Sequence, residues 1–462
     1  MNDNDEINLK DLVNNKYFWV GLISAVFLIT RLPLISAYST VWWDEAQYLV
    51  MTKSLFIGTP TTGWWDGRSI VYPAILYGLS LPFGYNELVI RFINILFGLG
   101  LTIASYYLGK ELLGEKYGII TGLIMCFQWV FLYWSLRFTI DVPSAFLLVL
   151  SALLFIKGKR LPSGLLLGLA ASIKFTAIIG SVVYLAYSLI NKEKKLKDYY
   201  WLFGALIGYA PLMIYDIIVF NNPVYTPLSF LSFNVNATGG AQAGDMFYYI
   251  TSMLFNYGIL MGLLVFIGII PIIFKLKNKK VQFIALNLFI YLAFYSLLTS
   301  VKEVRFLIHL LPFACLSAIL GASFIISYVS KNKQIINYAL AIITIIIIIE
   351  NLPTGLTSIN NAKDSYLYVK QAGEFLLPYE GNVMANSVPQ LTYYSEKTVD
   401  AFPATEELFL QQVSNYSFLV ISAYEQYPAY AYTLNYSFIM PIKAYPSAAQ
   451  AQLIVFYINN SA

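Results

Sequence analysis

The residues most able to do chemistry lie in the stretch 38–73, just after the first strongly apolar segment. Its charged side chains are Asp44, Glu45, Lys53, Asp66 and Arg68. Tryptophan pairs at 42–43 and 64–65 surround them. Tryptophan favours the membrane interface, where its ring lies among lipid headgroups and its N–H stays near water. We therefore expect the loop 37–73 to lie at a membrane surface, where its acids would meet the head of a lipid-borne substrate.

A second set of charges stands at the ends of apolar segments. Its members are Arg91, Arg137, Asp141, Lys302, Glu303 and Arg305. A charge at membrane depth costs about 2.5–3.5 kcal/mol on insertion scales, so each needs a reason to be there. In the functional interpretation, acids remove a proton while cations bind a phosphate. In the alternative, outer loops form ordinary ion pairs, with Arg137 and Asp141 as a local i, i+4 pair.

The adjacent acids Asp44 and Glu45 allow two compatible interpretations. A carboxylate shielded by tryptophan at the interface suits a general base that accepts the proton of a hydroxyl. Acids also favour a helix N-terminus, and the sequence AQYLVMTKSL follows them. If this segment is helical, the two side chains point in different directions and need not share a role.

Lys302 and Arg305 are three residues apart and could face one phosphate together, with Arg305 binding it by two parallel hydrogen bonds. Alternatively, they are cations that anchor a helix end at the interface. Lys174 interrupts an apolar run, and it either marks a helix break on a substrate path or extends to the interface. His309, the only histidine, is interpreted as a satisfied core residue.

Composition places these residues in a membrane protein. The 462 residues are 58% hydrophobic and only 12% charged, whereas soluble domains have about 25% charged residues. A nucleic-acid partner is excluded because no basic patch with interleaved aromatics is present. Cys126 and Cys315 lie inside apolar segments, so neither a disulfide framework nor a zinc site is indicated. Residues 1–16 are polar and acidic and lack the features of a cleavable signal peptide.

The apolar segments predict a multi-pass protein of the cell membrane. A spanning helix needs about 20 apolar residues. The candidates are residues 17–36, 87–109, 117–136, 141–157, 199–220, 255–274, 281–300, 305–329 and 335–350, with a broken run at 161–190. Basic clusters at 157–160, 192–197 and 275–280 fall on the cytoplasmic side only if the broken run, interrupted near Lys174, crosses twice. The result is about eleven crossings, a cytoplasmic N-terminus and an extracytoplasmic C-terminus.

The composition changes after Glu350, which predicts two domains. Residues 1–350 form a helical transmembrane domain that carries the loop 37–73, and residues 351–462 form a small extracytoplasmic α/β domain. Helical patterns at 365–377 and 405–414 alternate with strand patterns at 382–387 and 417–424, which favours a partly parallel sheet. The glycosylation sequons at Asn236, Asn415, Asn435 and Asn459 then all lie outside.

The order of these motifs resembles that of the GT-C membrane glycosyltransferases, especially the protein O-mannosyltransferase and aminoarabinose transferase branch. The shared features are one span before Asp44-Glu45, Arg68 separated from Pro73 by four residues, Arg91 opening a long span, Arg137 with Asp141 in a turn, Gly-Leu-Leu-Leu-Gly-Leu-Ala from Gly164 before Lys174, and Lys-Glu-x-Arg-Phe from Lys302. The last motif is also similar to that of the mannosyltransferases of glycolipid-anchor assembly, where a histidine stands in place of Val301. The resemblance covers nearly the whole chain.

The resemblance implies an inverting transfer of a sugar, a hexose such as mannose, from a polyisoprenyl (dolichyl-type) phosphate to a hydroxyl at the outer face. Asp44 would be the base, Glu45 would orient a substrate and Asp141 would be a second acid. Lys302 and Arg305, with Arg137 or Arg91, would hold the lipid phosphate. Further contacts to the substrates would come from Lys53, Asp66, Arg68 and Glu303. No metal or cofactor is expected beyond the lipid-linked donor, and the acceptor would be a protein, glycan or lipid.

The main alternative is a transporter or flippase for a lipid-linked sugar. Such a protein would have its functional charges near the bilayer midplane. Most charges here are expected on one face, which favours the enzyme. A non-catalytic membrane scaffold is the weakest alternative, because it leaves the charged set without a purpose.

Overall fold

The computed structural model describes residues 15, 17–59, 64–236, 244–434 and 436–459. The acidic N-terminal segment, and all or part of the sequons at Asn236, Asn435 and Asn459, therefore lie outside the described residues. By contacts the chain divides into two compact units, Met1–Ile35 with Asn86–Ile359 and Ser36–Tyr85 with Asn360–Ala462. We call them the helical unit and the mixed unit. The loop 37–73 thus groups with the C-terminal residues, and the functional division at 350/351 stays a prediction.

The helical unit consists of apolar helices, most of which follow the predicted spans, and of short helices between 225 and 251 that were not predicted. Up to Ile190 they are α1 (Phe18–Arg31), α4 (Glu87–Leu113), α5 (Glu115–Phe127), α6 (Trp129–Ser135), α7 (Asp141–Ile156), α8 (Arg160–Ile173) and α9 (Ile179–Ile190). The remainder are α10 (Tyr200–Phe220), α11 (Tyr225–Asn236), α12 (Tyr248–Thr251), α13 (Met253–Asn256), α14 (Ile259–Phe274), α15 (Lys279–Leu297), α16 (Leu311–Val329) and α17 (Lys333–Ala362). Helix α17 continues past Glu350, where the change in composition predicted its end.

The predicted break near Lys174 is confirmed. Helix α8 ends at Ile173, Lys174 is extended, and a short 3-10 turn at Phe175–Ile178 leads into α9. A second break was not predicted: α5 and α6 meet at Gln128 with a bend of 61°. There the Gln128 side chain accepts from the Phe131 N–H and donates to the Asn256 carbonyl. Asn351 accepts from the Trp129 N–H. These side chains satisfy backbone groups that the bend leaves without helical partners.

Several helices are long and apolar enough to cross a membrane. Within the described residues five qualify by length and hydropathy, or six if the bent pair α5–α6 is one span. Shorter apolar helices, including α7, α8 and the segment Phe175–Ile190, accompany them. The protein is therefore a helical membrane protein, while the count of about eleven crossings is not confirmed.

Glycines let α8 and α10 approach closely. Gly164 and Gly168 on α8 face Gly204 and Gly208 on α10, and a Cβ at any of the four would collide with a backbone carbonyl of the other helix. Each pair has the spacing of the small-xxx-small motif, by which membrane helices pack backbone against backbone. The Gly-Leu-Leu-Leu-Gly pattern of the sequence thus serves helix packing.

The mixed unit combines helices with a five-stranded sheet. Its helices are α2 (Trp43–Thr52), α3 (Val71–Ser80), α18 (Leu367–Leu376), α19 (Val388–Ser395) and α20 (Glu406–Gln412). Its strands are β1 (Val383–Ala385), β2 (Val399–Ala401), β3 (Phe418–Ser422), β4 (Ile439–Tyr445) and β5 (Leu453–Ile458), in the order β2-β1-β3-β5-β4. Strand β1 is parallel to β2 and β3, whereas β5 is antiparallel to β3 and β4. The partly parallel sheet and the predicted elements α18, β1, α20 and β3 are confirmed, while β2, β4 and β5 were not predicted.

Candidate active site

The acids Asp44 and Glu45 lie in the first turn of α2, where negative charge is favourable. Trp42 precedes the helix in an extended conformation, and its N–H donates to Glu45 Oε2 at 2.6 Å. Glu45 is fully buried, so its side chain caps the helix from inside the mixed unit. Asp44, one residue earlier, points in another direction, toward Arg68.

Arg68 binds Asp44 and the next turn of the same helix. Its Nη2 lies 2.5 Å from Asp44 Oδ1, its Nη1 donates to the Tyr48 hydroxyl at 3.0 Å, and its Nε donates to Gln47 Oε1. Burial opposes the charge of Arg68, but Asp44 and Tyr48 outweigh it and raise the pKa of Arg68. A cation at this distance favours the carboxylate form of the acid, which is the form a general base needs.

The other two charges of the loop lie elsewhere in the mixed unit. Lys53 Nζ is 2.6 Å from Glu396 Oε1 and lies 4.6 Å from the centre of the Tyr393 ring. Asp66 is exposed in the turn that leads to Arg68. The structure therefore brings Asp44 and Arg68 together and directs Lys53 to the C-terminal part of the unit. The substrate-binding roles of Lys53 and Asp66 stay predictions.

A buried charge network stands in the helical unit around Asp141. Lys174 Nζ lies 2.5 Å from Asp141 Oδ1, and Arg305 Nη1 lies 3.9 Å from Asp141 Oδ2. Arg305 also contacts Glu303 through both Nε and Nη2, the latter at 3.0 Å. Asp141 and Lys174 are 0% and 3% exposed. Three predicted site residues, Asp141, Glu303 and Arg305, thus meet in one network, and Lys174 completes it.

Local structure places each member of the network. Asp141 opens α7, Lys174 stands in the break after α8, and Arg305 lies in the 3-10 segment Val304–His309. Lys174 Nζ also lies 4.1 Å from the centre of the Phe306 ring. His309 Nε2 is 3.2 Å from Ser144 Oγ, so the histidine has a polar partner in the core as expected. The lone cation in an apolar run was the sequence signal for Lys174, but its carboxylate partner 33 residues earlier could not be identified from spacing.

The Lys302 ammonium contacts backbone carbonyls at and just after the end of α15. Its Nζ donates to the carbonyls of Tyr295, Ser296 and Thr299 at 2.6, 2.9 and 2.5 Å, which terminates α15. An ammonium has three donors, and all three are used here. Burial lowers the pKa of Lys302, although Asp245 opposes this. The contact between Lys302 and the lipid phosphate stays a prediction. It requires the ammonium to release these carbonyls and to bind the phosphate in their place.

The remaining predicted cations are buried beside the turn between α6 and α7. Arg91 donates to the Leu136 carbonyl at 3.3 Å and lies 4.0 Å from Glu87. Arg137 Nε donates to the Tyr133 hydroxyl at 3.2 Å. Sequence reasoning missed Arg31, which is fully buried at the end of α1 and donates to Ser135 Oγ and to the Cys126 carbonyl. Arg31 thereby connects α1 to both α5 and α6.

Comparisons with known proteins identify the family of the chain. The sequence profile of the Alg9-like mannosyltransferase family matches residues 22–376. The chain belongs to this family. It is therefore a GT-C glycosyltransferase that uses a lipid-linked sugar, as the motif order predicted. A comparison with curated proteins gives no match.

The fold resembles those of solved structures over most of the chain. ArnT from Cupriavidus metallidurans bound to undecaprenyl phosphate aligns with a TM-score of 0.70 at 13% identity, over 97% of this chain and 99% of that one. The archaeal oligosaccharyltransferase AglB from Archaeoglobus fulgidus, in complex with an inhibitory peptide and a dolichol-phosphate, aligns with a TM-score of 0.60 at 12% identity, over 88% and 69% of the two chains. At these identities the likeness concerns the fold.

Proposed function

We propose that this family member is an inverting mannosyltransferase. It moves a mannose from a polyisoprenyl-phosphate donor to an acceptor hydroxyl at the outer face of the cell membrane. The observation that carries the proposal is the Asp44 carboxylate, held in the first turn of α2 by Arg68 at 2.5 Å. The family profile supports the sugar, and the lipid phosphates named in the ArnT and AglB structures support the donor class.

In this proposal Asp44 is the general base. The acceptor hydroxyl oxygen attacks the anomeric carbon of the donor, and its proton passes to an Asp44 oxygen as the new C–O bond forms. The bond between the anomeric carbon and the phosphate oxygen breaks on the opposite face, so the configuration inverts. Arg68 keeps Asp44 ionised before the transfer, and Glu45 holds the helix that carries it.

The departing lipid phosphate requires cations. Arg305 can bind it by two parallel hydrogen bonds once it releases Glu303, because a guanidinium pairs with a carboxylate and with a phosphate through the same two N–H groups. Asp141, held by Lys174, keeps Arg305 in place as the second acid of the site. Arg91, Arg137 and Lys302 are the additional candidates for the phosphate. Such charges stabilise the transition state where negative charge develops.

The proposal includes the orientation of the chain in the membrane. With about eleven crossings, the N-terminus is cytoplasmic and residues 351–462 are extracytoplasmic. A polyisoprenyl donor offers its sugar at headgroup level, which matches the tryptophan-rich loop 37–73. The acceptor is a hydroxyl of a protein, a glycan or a lipid presented on that side.

A transfer assay in nanodiscs tests the base. Radiolabelled polyprenyl-phosphate sugars, with mannose, glucose and an amino sugar as the panel, are offered with a membrane extract as acceptor. We expect wild type to transfer mannose and Asp44→Asn to bind the donor but lose about 10²-fold or more in kcat, because general-base catalysis contributes about 10²–10⁴-fold. Glu374→Gln, an exposed carboxylate in α18, is the matched control and should keep full activity.

Two outcomes would contradict these assignments. Wild-type turnover by Asp44→Asn removes Asp44 as the base. Labelled donor that crosses reconstituted vesicles without being consumed makes the protein a transporter of lipid-linked sugar instead.

Arg305→Lys tests the phosphate contact. Lysine keeps the charge but loses the two-pronged geometry. We expect the donor KM to rise about tenfold or more while the thermal midpoint of unfolding changes little, since a charge-assisted hydrogen bond is worth about 1.5–3 kcal/mol. An unchanged donor titration would refute this role for Arg305.

A further inference from the structure

The acidic helix α2 is attached at both ends to C-terminal residues of its own unit. This arrangement joins segments that are more than 300 residues apart in sequence, as the separation of 343 between Lys53 and Glu396 illustrates. None of these contacts is part of the proposed chemistry.

The entry to α2 is held by backbone and side-chain hydrogen bonds. Ser39 N–H donates to the Lys363 carbonyl at 2.9 Å, and Ser39 Oγ donates to Asp364 Oδ1 at 2.9 Å. The Val41 N–H, three residues before Asp44, donates to the Tyr394 hydroxyl at 3.0 Å. Val41 is fully buried and Tyr394 is 9% exposed, so this bond lies within the core of the mixed unit.

The exit from α2 is held by an ion pair. Lys53 follows the last residue of the helix and pairs with Glu396, which directly follows α19 in a left-handed conformation with φ of 54°. Tyr393, on the same turn, presents its ring to the Lys53 ammonium at 4.6 Å. Helix α19 itself packs along α2. Both ends and one face of α2 are therefore positioned by residues 393–396 and their neighbours.

From this geometry we infer that Tyr394 and the Lys53–Glu396 pair are positioning residues for Asp44. The C-terminal domain then contributes to sugar transfer by holding the base in place. This inference rests on the proposed role of Asp44 as the base. A general base must meet its proton within hydrogen-bond reach, and a displacement of about 1 Å can cost about 10²-fold in rate. Holding both ends of a ten-residue helix limits such displacement.

Tyr394→Phe tests the inference, because it removes the hydroxyl that accepts from the Val41 N–H and keeps the aromatic ring. We expect kcat to fall about 10- to 100-fold while the donor KM changes by less than about twofold, since the lost contact affects the transition state and not donor binding. Tyr416→Phe is the matched control, because its hydroxyl donates to Asp400 of the same unit, at 3.0 Å. The control should keep the wild-type kcat.

A charge swap supplies a second readout, the kcat of the folded protein, and tests whether the pairing of the two charges matters rather than either side chain alone. Lys53→Glu alone and Glu396→Lys alone place like charges together and should each lower kcat. The double variant Lys53→Glu/Glu396→Lys should recover most of the wild-type kcat. Failure of the double variant to recover, with all variants folded, would overturn the role of this pair.

Hydrogen exchange separates this inference from the proposed function. In Tyr394→Phe the amides of residues 42–52 should exchange about tenfold faster than in wild type, and in Tyr416→Phe they should not, because local opening follows the loss of local contacts. Unchanged exchange at α2, or an unchanged kcat with an active wild type, would refute the positioning role. If wild type transfers no sugar, the proposed function fails, while exchange at α2 still decides whether Tyr394 holds the helix.

Discussion

Several charged residues of this protein form ion pairs with residues that are far away in sequence. Asp141 and Lys174 show this most clearly, since both are buried in the helical unit with their charged atoms 2.5 Å apart. Taking two charges out of water is expensive, and attraction between them offsets much of that cost. Removing one partner therefore leaves an uncompensated buried charge.

A double-mutant cycle tests the strength of this pair. Asp141→Asn and Lys174→Met should each lower the free energy of unfolding by about 3–5 kcal/mol, and the double variant should lose clearly less than the sum of the two. Thermal or denaturant unfolding in detergent measures all four proteins. The exposed pair Lys110–Glu115, also at 2.5 Å, is the control, and its cycle should give about 0–1 kcal/mol. Additive losses at 141 and 174 would show that the two charges do not depend on each other.

Two helices of the helical unit, α8 and α10, pack backbone against backbone. In a membrane, lipid tails are as apolar as leucine, so helices associate through packing and hydrogen bonds rather than through a hydrophobic driving force. The four glycines between α8 and α10 allow that packing. The break at Lys174 lies directly after α8, so the position of α8 also sets the position of Lys174 beside Asp141.

Gly168→Ala tests this packing. Its Cβ would collide with the Ala205 carbonyl, and overpacking of this kind costs about 1–3 kcal/mol. We expect a lower thermal midpoint and lower transfer activity, measured on the purified protein. Gly21→Ala in α1 is the control, because its Cβ meets no atom within 4 Å, and it should leave stability unchanged or raise it slightly through helix propensity. Equal thermal midpoints for Gly168→Ala and wild type would show that α8 and α10 accommodate the added methyl group without loss of stability.

At the scale of the whole molecule, orientation in the membrane decides which side the donor must occupy. The charge bias of the loops predicts that the cluster around Lys195 is cytoplasmic and that the residues after Glu350 are outside. Both Lys195 and Asn415 are exposed, so each can report its side.

Single cysteines at these two positions test the topology. In intact cells a membrane-impermeant maleimide should label Asn415→Cys at once and Lys195→Cys only after permeabilisation. The native Cys126 and Cys315 are buried, which gives a low background. Labelling in the reverse order would place the acidic loop in the cytoplasm and would rule out transfer at the outer face.

The sequence alone determined the properties that depend on neighbouring residues. Hydropathy over about 20 residues located the apolar helices, and the single charge at Lys174 located the break. The acids at 44 and 45 located the start of α2, and alternating patterns after Glu350 predicted a partly parallel sheet. The order of the short motifs also identified the superfamily to which the matched family belongs. These features arise from local preferences, which a sequence displays directly.

Only the tertiary structure decided which charges meet. It paired Asp44 with Arg68, Asp141 with Lys174 and Lys53 with Glu396, and it placed the Lys302 ammonium against three backbone carbonyls. It also joined the loop 37–73 to the C-terminal residues in one unit. The physical reason is that an ion pair depends on distance in space, which the packing of several helices sets, whereas spacing along the chain constrains charges only within one element.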